Sequence, residues 1–126
     1  ILAAVVIPQF NTAAAESKEA ALASNLATIR QAIELYKVQH NDTFPTSAFV
    51  TQLTAGTDVT GAAGTKYGPY IRNSFPANPI TSSAAVVTPV PGTAAAAGGW
   101  GYTPATGEFR ANVLGAGPGG TNYFDL

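Results

Sequence analysis

Between residues 22 and 36 the apolar side chains return at steps of four, three, four and three, as Leu22, Leu26, Ile29, Ile33 and Tyr36. That rhythm draws a single stripe down one face of a helix. Arg30, Glu34 and Lys37 fall off the stripe, so the element is amphipathic there. No Gly or Pro interrupts the chain from Ala13 to about His40, and Ala, Glu, Lys, Leu and Gln dominate it, which predicts one long helix. Upstream the pattern changes. Ala13, Ala14, Ala15, Ala20 and Ala21 sit on every side of the helix, and small residues let neighbouring helices approach closely. Ahead of them stands an apolar run, "ILAAVVIPQF". Pro8 removes one backbone bond and crowds the carbonyl four residues back, so it kinks or locally melts a turn without having to end the helix. With Ile1–Ile7 helical too, the element reaches about 60 Å at roughly 1.5 Å per residue. A head of this mass needs less. The expected organisation is a long N-terminal helix over 1–40, of which 1–23 projects as a stem and 24–40 packs on a head formed by 41–126.

After the helix the periodicity of 3.6 stops. "HNDTFPTS" gathers Asn, Asp and Pro45, all breakers. "TSAFVTQLT" predicts a short helical turn capped by Ser or Thr, and 55–66 reads as a flexible polar loop. Three prolines in "YGPYIRNSFPANPI" forbid a helix and favour an extended loop pinned by its Tyr and Phe side chains. Residues 81–99 are low in complexity, with Ala84–Val87 as a candidate strand. The best hairpin signal is "GGWGYTPATGEFRANVL": Trp100 and Tyr102 alternate, "PATG" turns, and Phe109 and Ala111 alternate back. Tyr123 and Phe124 are candidates for a last strand. The order predicts an α+β fold, one long helix packed on a small antiparallel sheet.

Composition narrows the chemistry. The 126 residues suit one domain; only 10% are charged and the net charge is −1, with no cluster of either sign. Nucleic-acid binding draws on several Lys or Arg neutralising phosphates, and no such patch is present. There is no Cys, which removes disulfides, thiolate catalysis and Cys-ligated zinc together. Ile1–Ile7 is too short to cross a bilayer, which takes ~20 apolar residues, and reads at most as the last third of such a span. "GAGPGG" at Gly115–Gly120 spells a dinucleotide fingerprint, yet no helix can follow it and Pro118 deletes an amide donor, so it reads as a loop. His40, the one histidine, stands where a helix end offers free carbonyls, with only Asp42 near it. No serine elbow and no paired carboxylates point to an active site. Calcium is the one ligand with any purchase, through Asn122, backbone carbonyls and Asp125 in the C-terminal loop. Tyr67, Tyr70, Phe75, Trp100 and Tyr102 read first as core packing and second as a sugar-binding platform. Ser- and Thr-rich stretches at 46–65 and 81–93, and the sequon at Asn41, leave room for attached sugars.

The segment Ile1–Phe10, with its Pro8, resembles the second part of the N-terminal segment of type IV pilins and type II secretion pseudopilins. The likeness continues more loosely through "AAAESKEAALASNLATIRQAIELY". "YGPYIRNSFPANP" and "GWGYTPATGEFRAN" are similar to the Pro-rich loop and hairpin of major pseudopilins. The resemblance implies a lollipop and a structural, non-enzymatic subunit without cofactor. It would polymerise into a type IV pilus-like or type II secretion pseudopilus filament whose core is built by Ile1, Leu2, Val5, Val6, Ile7, Pro8 and Phe10. Leu22, Leu26, Ile29, Ile33 and Tyr36 would hold the helix to the head. Identical copies, the inner membrane before assembly, and a secretion or pilus assembly machinery are the implied partners. The implied location is the inner membrane first, then a periplasmic or cell-surface fibre. The family's cleavage site, methylated residue and registering glutamate would lie upstream of Ile1, and its acidic calcium loop is not recognisable here. Near Ile1–Pro8 the expectation is a helix in the isolated subunit that breaks in the filament. The alternative reading is a helix-anchored adhesin or glycan-binding module at the cell surface.

Overall fold

The structure is a computed structural model that describes residues 9–91 and 98–126, with side chains described from Ala13 onward. Helix α1 runs Gln9–Gln39 over 31 residues, about 46 Å at the usual rise of ~1.5 Å per residue. Its end is a local matter. Asn41 and Asp42 take the left-handed conformation at φ 55° and 58°, which these two residue types tolerate best after glycine. The Asp42 amide then donates to Lys37 O at 3.0 Å, satisfying an orphan carbonyl of the last turn.

Helix α2 covers Phe49–Thr54 and starts at Ala48 without a side-chain cap, contrary to the expected Ser or Thr cap. A turn at Ser47–Ala48 intervenes, and Gln52 reaches back to the chain ahead of the helix: its Oε1 accepts from the Thr46 amide at 2.7 Å. Loop 55–66, expected to be flexible, is folded on itself through the Thr57–Ala63 bridge and held to Tyr67 through the Thr57–Tyr67 bridge. Gln52 Nε2 ties it to α2 by donating to Gly61 O at 3.0 Å.

Among the described residues the sheet has three strands in the order β1 (Val86–Val87), β2 (Trp100–Thr103) and β3 (Glu108–Ala111). β2 and β3 form the antiparallel hairpin across "PATG", with Trp100 opposite Ala111 and Tyr102 opposite Phe109. β1 runs parallel to β2, which corrects the expected all-antiparallel sheet to a mixed one. Residues 88–99 separate the two strands in sequence, a length compatible with a parallel pair, which a tight turn is not. Tyr123 and Phe124 belong to a short 3-10 turn, Tyr123–Asp125, and not to a last strand.

Alternation along the hairpin sends Trp100, Tyr102, Phe109 and Ala111 to one face, where all four are buried. They share one core with the stripe of α1 and with Phe49 and Leu53 of α2. Phe49 stacks on Tyr102 with ring centroids 4.1 Å apart and meets Phe75 edge-on at 5.4 Å, the arrangements aromatic quadrupoles favour. The polar tips are satisfied: Tyr102 OH donates to Pro45 O at 2.7 Å and Trp100 Nε1 to Pro76 O at 3.0 Å. Gly107 closes the hairpin at φ +73°, and the Phe44 ring occupies the space a side chain there would need.

Candidate assembly surface

Helix α1 has two halves with different surroundings. Leu22, Leu26, Ile29, Ile33 and Tyr36 are each no more than 2% exposed and sit in the head's core. Burial starts at Leu22, inside the stretch expected to project. From Ala13 to Ala21 no residue is buried, and only Ala15 and Glu19 are partly covered. Glu19 owes its cover to the C-terminal loop, where Gly117 lies against the carboxylate so closely that a Cβ there would push it aside.

Arg30 is the residue that periodicity missed. One position beyond Ile29, it turns back onto the head. Its Nε and Nη2 donate to Phe109 O on β3 at 3.1 and 2.8 Å, and Nη2 donates to Leu126 O at 2.9 Å. Burial pulls its pKa down, the Arg110 charge adds to that, and Glu108 opposes it. The available signal was its place at the edge of the stripe, where a long aliphatic stem can lie on apolar surface and extend a charged head beyond it.

The opposite side of α1 faces away from the head. At ~100° per residue, Ala13, Ser17, Ala20, Ser24, Ala27, Gln31, Leu35 and Val38 fall in one arc facing away from the Leu22–Tyr36 stripe. All eight are exposed, and none is charged. Leu35 and Val38 remain 49% and 73% exposed, the latter the most exposed of the large hydrophobics described. Glu16, Glu19, Arg30, Glu34 and Lys37 project together on one flank and leave this arc clear. Of the residues expected to build a filament core, Ile1, Leu2, Val5, Val6, Ile7 and Pro8 lie outside the described residues, as does the expected break there. Phe10 lies within α1, where only its backbone is described.

The other candidates resolve into structural roles. His40 is 2% exposed, stacked on Tyr36 at 3.7 Å. Its Nδ1 donates to Tyr36 O at 2.7 Å, and Nε2 pairs with the Thr57 hydroxyl at 2.9 Å, so both ring nitrogens are engaged. Phe75, Trp100 and Tyr102 are in the core, and Tyr67 and Tyr70 pack around His40. These five aromatics therefore present no common exposed face. Asp125 turns its carboxylate to Asn122 at 3.3 Å and towards Arg110 at 3.9 Å. Among the described residues no three of His, Asp and Glu come together as a metal would need. Nor, among them, is any helix long and apolar enough to cross a membrane.

No family model, curated protein or solved structure matches this chain.

Proposed function

We propose that this chain is a structural subunit that polymerises through α1 into a filament of the type IV pilus or type II secretion pseudopilus kind. The observation that carries the reading is the two-sidedness of α1: one side supplies the core of its own head, the other is long, exposed and free of charge, small-sided from Ala13 to Ala27 and apolar at Leu35 and Val38. A single small domain gains nothing from such a face in water, whereas copies of the same helix packed side by side cover it. Contacts between different patches of identical subunits extend into fibres where the rotation between them does not close a ring. The apolar run Ile1–Phe10, with its likeness to the pilin segment, extends the same chemistry towards a membrane-resident state before assembly and a periplasmic or cell-surface fibre after it. The head then clads the fibre, with no reaction to perform. Electron microscopy of the intact protein, extracted in detergent and returned to buffer, tests this. Fibres with a regular helical rise are expected; single dispersed molecules under every extraction and shear condition overturn it.

A further inference from the structure

We infer that residues 115–126 form a latch that opens as one unit about Gly115 while the helix and sheet stay folded, with Arg30 and Arg110 setting how often it opens. This rests on the bonding of the segment and not on the filament reading. Among the described residues, every backbone hydrogen bond of 115–126 stays within the segment: Gly117 N to Thr121 O, Gly120 N to Gly117 O, Tyr123 N to Gly115 O, Asp125 N to Asn122 O and Leu126 N to Tyr123 O. The last ladder-type bond to the body is Asn112 N to Gly99 O, just before the segment begins. Backbone pairing thus makes the segment a unit of its own, and such units open at free energies below global unfolding.

What holds it down is side chains. Arg30 Nη2 donates to Leu126 O at 2.9 Å, and Arg110 Nη1 donates to Phe124 O at 3.0 Å with its guanidinium over the Phe124 ring at 5.2 Å. Tyr123 is inserted in the core, with Leu126 packed beside it. The pivot is free to turn. Leu114 is 63% exposed, and Gly115, at φ +92°, has open space where a side chain would stand. With the latch closed, a groove of about 350 Å³ lies between α1 and the hairpin, lined by Ile33 and Phe109 and walled on one side by Asp125 and Leu126, so opening removes that wall.

Native-state amide hydrogen exchange on the intact chain in detergent micelles tests this. The expected result is that the amides of Gly117, Gly120, Tyr123, Asp125 and Leu126 exchange together and faster than those of Trp100 and Asn112. In Arg110→Met, which keeps the aliphatic stem and loses the donors, the block speeds up about tenfold, as the loss of one charge-assisted hydrogen bond implies, while Trp100 and Asn112 keep their rates. Arg30→Met has the same effect on the block. Exchange of the block at the rate of Trp100 and Asn112 in the unaltered chain overturns the inference. So does an Arg110→Met chain in which all these amides speed up equally. The comparison within the unaltered chain decides even where a variant fails to fold.

Discussion

Replacing Leu35 by Glu and Val38 by Lys separates the two faces of α1. Both positions lie on the arc turned away from the head, 49% and 73% exposed, so the head has little to lose. Fully burying a Leu or Val side chain contributes ~1.5–3 kcal/mol, so covering the part still exposed is worth about 1–2 kcal/mol at each position. Losing both, and placing charge where a neighbouring helix must pack, costs assembly about 3 kcal/mol or more. At 1.4 kcal/mol per factor of ten, the concentration needed to form fibres rises roughly a hundredfold. The isolated helix does not suffer. The new Lys stands one turn after Glu34 and the new Glu three residues before it, so each pair adds about 0.2–0.5 kcal/mol of helix stability. Sedimentation over a concentration series, with electron microscopy of the pellet, reads the threshold; a thermal melt followed by circular dichroism reads the head. The expected outcome is an unchanged or slightly raised melting temperature with fibres lost at concentrations where the parent assembles. Fibres at the parent's threshold refute the assignment of this face to subunit packing.

Three further outcomes follow from the head. Leu26→Ala leaves a void under a residue that is 1% exposed and is expected to cost about 2–5 kcal/mol in urea unfolding; a loss under 1 kcal/mol would mean that α1 is not seated as described. Tyr102→Phe removes the donor to the buried Pro45 carbonyl, for an expected loss of about 1–3 kcal/mol, with the near-ultraviolet dichroism of the core retained. Titration carries a sign at each end of the scale. Tyr102, Tyr36 and Tyr70 have their pKa values raised, in each case first by burial, so their contribution is complete below pH ~10 and is lost as pH climbs towards the folded values. Asp58 has its pKa lowered, first by the Thr60 hydroxyl and then by the amides of that turn, so its contribution holds above pH ~4 and fades as pH falls through the folded value. Melting temperatures across pH should show both slopes; Asp58→Ala should flatten the acid one and slightly lessen the alkaline one, because the Asp58 charge helps raise Tyr36.

Elements whose signal is local were legible in the chain alone. A 3.6-residue period from Leu22 to Tyr36 names a helix face wherever that helix goes, and alternation on either side of "PATG" names a hairpin, because both depend only on how side chains leave their own backbone. Tertiary structure alone decided which distant groups meet. Arg30 reads as a surface charge until Phe109, 79 residues on, brings a carbonyl within its reach. His40 reads as a helix-end donor until Thr57 and Tyr67 close over it. β1 pairs parallel to β2 where an antiparallel sheet was expected, and Tyr123 enters the core through a short 3-10 turn in place of the candidate last strand. In each case the partner lies beyond the reach of local periodicity, and the choice is made by closure of a loop and by the polar groups that closure would otherwise leave unpaired.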